Sequence, residues 1–470
     1  MATGVELVAA AGRGERREVA SLLRRGASVE DRDESGRTAL MAAARFGHTD
    51  TVNALAGTHN ANVEAVNRNG CTALMFAAQN GHTDTVNALA GTHNANVDAS
   101  DEKRGTALMH AAFQGHTDIV NALASTYSAN VEAINQYDGT ALMIAAQKGH
   151  TDTVNALAGT HNANVEAVNR NGWTALMLAA EEGHTDTVNA LAGTHNANVE
   201  AVTRNGRTAL MLAANNGHTA TVNALAGTYN ANMEAVNQSG LTALMLAAEE
   251  GHTDTVNALA GTYNANVHAV DQYGQTALML AALEGHTDTV NALAGTHNAN
   301  VEAIDQYYGT ALMIAASNGH TDVVNALAGT HSANVDAADE DGWTALMHAA
   351  LHGHTDTVNA LADTYNANVE VVNQTGETAL MIASNEGHTV IVDTLRRILS
   401  SRPRDSQLHG DDSEATQIHP CTICFHNYPK VRFDPCGHTA CRSCSRELRK
   451  RRRDCHLCNR PVSKMQKFFV

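Results

Sequence analysis

The chain has 470 residues, 43% of them hydrophobic but only 4% aromatic, and a formal net charge of −18 at pH 7. The charge is uneven: residues 401–470 hold 14 Lys and Arg against 7 Asp and Glu, a net of +7, which leaves −25 on residues 1–400. So acidic a body disfavours nucleic acid and anionic membranes as partners and favours basic ones. No stretch approaches the roughly 18 apolar residues of a bilayer span. The N-terminus, MATGVELVAAAGRGERR, lacks the basic region of a secretory signal. Seven of the 8 cysteines lie between 421 and 458, and Cys71 stands alone. That distribution fits thiols kept for metal in a reducing compartment, cytoplasmic, nuclear or both, rather than a disulfide framework.

From the N-terminus the first pattern is a repeat. Thr-Ala-Leu-Met recurs from Thr38 through Thr72, Thr106 and onward to Thr378, always at intervals of 34 residues. A fixed period of that size predicts a solenoid. Residues 1–35 form a divergent earlier copy in which Leu7, Ala10, Ala11 and Gly14 align with Leu40, Ala43, Ala44 and Gly47, giving about twelve units. Within a unit, Thr38 is placed to cap a first helix, whose apolar side is Leu40, Met41, Ala43 and Ala44. Gly47-His48 ends it. Thr49 is expected to cap a second helix, with Asp50 in its first turn and Val52 and Leu55 on its buried side.

These residues resemble the ankyrin repeat over residues 1–399, with Thr-Ala-Leu-Met in place of the family's Thr-Pro-Leu-His and one extra residue per unit. The extra residue falls after the second helix, in Gly57-Thr58-His59-Asn60-Ala61, where Asn60 takes the left-handed turn that Gly26 takes in the first unit. The resemblance implies an all-α solenoid of helix-turn-helix units joined by hairpin loops. The first and last units, with Arg16, Arg17, Arg24 and Arg25 at one end and Val390 to Leu399 at the other, read as caps.

Because the units are nearly identical, the slots that vary stand out. One is the residue before each repeat Thr: Arg37, Cys71, Gly105, Gly139, Trp173, Arg207, Leu241, Gln275, Gly309, Trp343 and Glu377. Two more lie seven and eight residues after it and hold Glu181 and Glu182, Glu249 and Glu250, and Leu283 and Glu284. In the ankyrin family such slots line the concave binding face. The resemblance therefore implies an acidic groove of Trp173, Glu181, Glu182, Glu249, Glu250, Glu284 and Trp343, suited to a basic peptide segment of a protein substrate. The eleven Gly-His histidines, from His48 to His388, read as packing residues rather than metal ligands. Cys71 has no His or acid at motif spacing and reads as an exposed free thiol. Residues 400–419 turn polar and aperiodic, as a flexible linker does.

The C-terminal part carries the spacing C-x2-C-x11-C-x1-H-x2-C-x2-C-x10-C-x2-C from Cys421 to Cys458. Four ligand pairs suit two tetrahedral zinc ions. The stretch 420–464 is similar to a RING finger of the C3HC4 kind, a small α+β module in which the metals replace a core too small to fold alone. The resemblance implies that Cys421, Cys424, Cys441 and Cys444 hold one zinc, and Cys436, His438, Cys455 and Cys458 the other. It also implies a RING-type ubiquitin ligase with no covalent ubiquitin intermediate, which positions a ubiquitin-charged conjugating enzyme for attack by a substrate lysine.

In that family the conjugating enzyme is met by residues matching Ile423, Leu448, Leu457 and Arg460. Two departures weaken the match: His456 stands where the family has proline, and Asn459 stands directly after the last cysteine, ahead of Arg460. The tail 465–470, with Phe468 and Phe469, is similar to those of dimerising RINGs, so a RING homodimer is expected. The basic run Arg449 to Arg453 fits an import signal, a ubiquitin-facing patch, a nucleic-acid contact or a solvated helix face. The order of repeat array and RING resembles that of the Mind bomb family. The competing class is a non-catalytic ankyrin scaffold whose zinc module is structural or only dimerises.

Overall fold

The computed structural model describes residues 2–401 and the strand segments 430–434, 439–441 and 464–467. The chain folds as two compact units, residues 1–306 and 307–470. The first opens with α1 (Ala2–Gly12) and α2 (Arg16–Arg24), then repeats a shorter pair, first seen as α3 (Ala39–Arg45) and α4 (Thr49–Asn53). Helix pairs stack in sequence: α1 lies on α3, and α3 on the next first helix, Ala73–Gln79.

Local chemistry explains the pair. Thr38 has an extended backbone (φ −85°, ψ 168°) and its hydroxyl accepts from the Met41 N–H at 3.4 Å. Ala39 through Ala44 are all buried, and alanines at the flanks let neighbouring helices come close. Gly47, at φ 72°, turns the chain out of α3.

Thr49 does not cap α4. The residue ahead of the helix is His48, which makes no side-chain capping bond. The Thr49 hydroxyl instead lies 2.8 Å from that of Thr85 in the next unit. The pairing recurs at Thr117 with Thr153, Thr151 with Thr187 and Thr185 with Thr221. A hydroxyl partner in the neighbouring unit takes the place of the helix's own N–H.

The extra residue also sits elsewhere than the sequence suggested. It is absorbed inside the second helix, whose end, Ala54–Thr58, is a π-helical turn. His59 N–H donates to the Ala54 carbonyl at 3.1 Å, and Ala61 N–H to that of Leu55 at 2.9 Å. In the first unit, which has the ordinary length, α2 is α-helical, and the closing bond from Ala27 N–H to the Leu22 carbonyl spans one residue fewer. A π-turn holds one more residue than an α-turn, so Leu55 and Ala61 stay buried while the surplus residue widens the helix end. The left-handed turn then falls on Asn60 (φ 53°) as expected, and on Ser128 and Ser332 in the units that lack the asparagine.

In the second unit, Ala311–Ser317 with Thr321–Asn325 and Ala345–Leu351 with Thr355–Asn359 repeat the motif. The last pair, Ala379–Asn385 and Thr389–Ser401, ends in an α-helix that buries Ile391, Val392, Leu395 and Ile398 and leaves Val390 exposed. This helix runs into the segment expected to be linker. Three short strands, β1 (Lys430–Asp434), β2 (Thr439–Cys441) and β3 (Lys464–Lys467), form an antiparallel sheet of order β2-β1-β3, with Val431 opposite Ala440 on one side and Lys467 on the other. β3 crosses the boundary placed at 464, so the tail begins as a paired strand.

Asn196 holds the left-handed turn (φ 51°) after the π-turn of its unit. Asn196→Ala should lower unfolding free energy by about 1 kcal/mol, the cost of a Cβ in that region without a polar side chain to offset it, and Asn196→Gly should not. Urea unfolding of the two variants checks this; equal midpoints would mean the turn is not under that constraint.

Candidate binding face and zinc module

The varied slots of residues 1–306 cluster by charge. Glu181 ends the helix Ala175–Glu181 and Glu249 ends Ala243–Glu249; both are half-buried, while Glu182, Glu250 and Glu284 are exposed. Burial, then the charge of Glu182, raises the Glu181 carboxyl above the usual range, and Arg207 opposes the shift. Glu249 is raised by burial, then by Glu250, Glu284 and Asp271, again against Arg207. The charge of Arg207 thus acts on carboxylates of both the preceding and the following repeat. Arg207 was visible among the varied slots, but its reach to the acids on both sides was not, because neither acid is near it in sequence.

Trp173 precedes the N-terminus of the helix that Glu181 ends, eight residues away, about 12 Å at helical rise. It is half-buried, and its backbone N–H donates to Asn169 Oδ1 at 3.1 Å. In the second unit Trp343 packs its ring on His348, centroids 5.5 Å apart, and His348 Nε2 lies 3.1 Å from Asp339 Oδ2. Burial, more than the nearby His352, holds His348 below its ordinary pKa, against the pull of Asp339. Trp343 is therefore part of a packed cluster with its own internal partner.

The Gly-His histidines are structural, as expected. His82 Nε2 donates to the Arg45 carbonyl of the preceding unit at 3.0 Å, His218 to Glu181 at 2.8 Å and His286 to Glu249 at 3.0 Å. A carbonyl only accepts, so each Nε2 carries the proton and is not free for a metal. A second ladder follows the π-turns. His161 and His195 bond Asn121 and Asn155 at 2.9 Å, and Tyr229 donates to Asn189 Oδ1 at 3.1 Å.

Cys71 departs from the expectation of an exposed thiol without partners. It is half-buried, and burial, then Asp101 and Glu102, raise its pKa. Its neighbours come from the following unit, out of reach of any search at motif spacing within one segment.

Of the residues expected to hold zinc, Cys441 ends β2, opposite Lys430 of β1. Cys421, Cys424, Cys436, His438, Cys444, Cys455 and Cys458 lie outside the described residues, as do Ile423, Leu448, Leu457 and Arg460. Among the described residues no helix is long and apolar enough to cross a membrane.

Stacked helix pairs with a capping threonine and a Gly-His turn define a repeat protein, to which a small cysteine-rich module is appended. The chain belongs to the ankyrin-repeat family: the model for ankyrin repeats (3 copies) matches residues 7–101, 92–169, 108–203, 142–237, 228–305 and 312–404. Residues 417–465 match the zinc finger of C3HC4 type, the RING finger, a span that includes all eight Cys and His positions of the spacing. Such a finger typically binds zinc, and a donor set of thiolates and one imidazole suits that metal. No curated protein matches the chain.

Because its pKa is raised on folding, ionised Glu249 costs stability at neutral pH, and the cost disappears as pH falls below the carboxylate range, where folded and unfolded chains are both protonated. Glu249→Gln should therefore raise Tm at pH 7 and leave it unchanged near pH 3. A melting series of both proteins across that interval tests the sign.

Proposed function

We propose that the protein is a RING-type ubiquitin ligase in which the ankyrin array recruits a protein substrate and the RING recruits the ubiquitin-charged conjugating enzyme. The observation that carries this reading is a C3HC4 RING match placed after an array of protein-binding repeats. Cys421, Cys424, Cys441 and Cys444 would hold one zinc, and Cys436, His438, Cys455 and Cys458 a second, each ion tying together segments distant in sequence. The metals supply scaffolding; the chemistry is transfer from the conjugating enzyme's thioester to a lysine, with the chain acting by positioning. Ile423, Leu448, Leu457 and Arg460 are the residues assigned to the conjugating enzyme.

For substrate, the proposed face is Trp173 with Glu181, Glu182, Glu249, Glu250 and Glu284, and a basic segment is the fitting ligand. The shared influence of Glu250, Glu284 and Asp271 on Glu249 supports one negative field rather than scattered charges. Trp343 belongs to the second compact unit, where its ring already packs on His348, and is not part of this face.

A scaffold without ligase activity is the second reading, favoured by His456 and Asn459 at two positions where the family carries other residues. Autoubiquitination with a panel of conjugating enzymes separates the two. Ile423→Ala should abolish the activity while leaving the zinc content unchanged; full activity with a native fold would remove Ile423 from the contact, and inactivity of the parent with every conjugating enzyme would favour the scaffold.

For the array, reversing Glu249 and Glu250 to Lys should slow association with the captured substrate at least tenfold at low salt, and the difference should shrink as salt rises. Stopped-flow binding at two ionic strengths measures it. An unchanged rate would place recognition elsewhere on the array.

A further inference from the structure

Three side chains of residues 1–306, unrelated to the RING, converge between consecutive repeats. Cys71 precedes the repeat threonine of one unit; Asp101 and His110 belong to the next. One donor atom from each lies within 4.8 Å of the other two, and all three residues are half-buried. The carboxylate is fixed from behind: Asp101 Oδ1 accepts the N–H groups of Lys103 at 2.8 Å and Gly105 at 2.7 Å. Its other oxygen, Oδ2, faces His110 Nε2 at 3.1 Å. Two ligands on one zinc, each about 2.0 Å from it, sit roughly 3.3 Å apart at the tetrahedral angle, so this pair already has nearly the spacing a shared ion needs. The Cys71 N–H is held by Asn67 Oδ1 at 2.9 Å, while its Sγ has only a 4.0 Å contact with the Asn69 carbonyl.

We propose that Cys71, Asp101 and His110 bind a zinc-class divalent cation that clamps two consecutive ankyrin repeats. A thiolate beside an imidazole selects a borderline-soft ion over magnesium or calcium. Three protein ligands leave the fourth position of the tetrahedron to water. On binding, the Cys71 thiol releases its proton to solvent and the imidazole proton moves from Nε2 to Nδ1, freeing Nε2 for the metal. The charges of Asp101 and Glu102 that oppose a bare thiolate favour the same thiolate once it holds a cation.

The chain contains its own control. Asp339 and His348 repeat the acid-imidazole pair at the same 3.1 Å, but the slot corresponding to Cys71 is Gly309. Without sulfur that pair is a hydrogen bond covered by Trp343, not a metal site.

The test uses the full chain, equilibrated at a fixed free zinc concentration and separated by ultrafiltration. Cys71→Ala and His110→Ala should each hold one zinc fewer than the parent, and His348→Ala the same number as the parent. Added zinc should raise the melting temperature of the array in the parent and not in Cys71→Ala, since an ion that binds only the folded chain stabilises it. Equal zinc content in the parent and Cys71→Ala overturns the proposal, as does an equal melting response. Because the measurement is a difference from the parent, it stands whatever number of ions the RING contributes. Cys71→Ala, at a position facing solvent in part, keeps the test open if His110→Ala fails to fold.

Discussion

One hydrogen bond sets the register of the stack: the imidazole that each unit lays against the glycine turn of the unit before it. The glycine is required twice over. At Gly47 the backbone is left-handed, with φ 72°, and an added Cβ would stand 2.5 Å from His82 Nδ1. With no side chain there, the ring slides over the turn and reaches the Arg45 carbonyl, one of the helix-end acceptors that no residue of its own helix can satisfy. The same arrangement recurs at Gly183 with His218 and at Gly251 with His286. First helices can be short because their open carbonyls are capped by the next repeat rather than by further turns.

The widened end of the second helix follows a related logic. Its glycine meets the aromatic ring of the next unit: a Cβ on Gly193 would lie 2.8 Å from the Tyr229 hydroxyl, and one on Gly261 3.0 Å from the His297 ring. Those rings then bond an asparagine of the preceding repeat, as Tyr229 does with Asn189 and His297 with Asn257. The inserted residue thus comes with a second inter-repeat ladder that the α-helical first unit, with Arg24 and Arg25 at that place, does not make in the same way. The first ladder uses only the backbone carbonyls of varied slots such as Glu181 and Glu249, so their side chains can change without touching the bonds that hold the array together.

What the sequence disclosed was local. Thr38 at a helix start and Asn60 at a left-handed turn are recognisable because the chemistry that dictates them lies within three or four residues. The period revealed that each unit was one residue longer than usual, but a count does not say where a helix widens, and the π-turn was legible only in the bond from Ala61 to Leu55. Thr49 looked like a cap because hydroxyls often are; its real partner, Thr85, lies beyond the next turn of the repeat. Cys71 looked isolated for the same reason. Adding one period to its position would have pointed to the loop that carries Asp101 and, just beyond, His110. The reach of Arg207 to acids of both neighbouring repeats was likewise hidden by sequence distance. The RING, by contrast, is written in the spacing of its own ligands, because metal geometry fixes those intervals directly.

The Gly-His ladder has a direction: the imidazole of a middle repeat donates to the repeat before it, as His82 does to Arg45 and His218 to Glu181, and the same repeat's helix end accepts from the one after. A 34-residue unit is therefore closed in its hydrogen bonding, much as a brick with a tongue on one side and a groove on the other. A copy inserted anywhere among the near-identical middle units would meet the same donors and acceptors above and below. The array can change length by whole units without leaving a buried polar group unpaired, whereas gain or loss of a large part of a unit displaces the donors and acceptors at that junction. The near-identity of the repeats, from Thr72 to Thr344, is what such duplication leaves behind, and it makes the extent of the binding face a quantity that recombination can adjust separately from its chemistry.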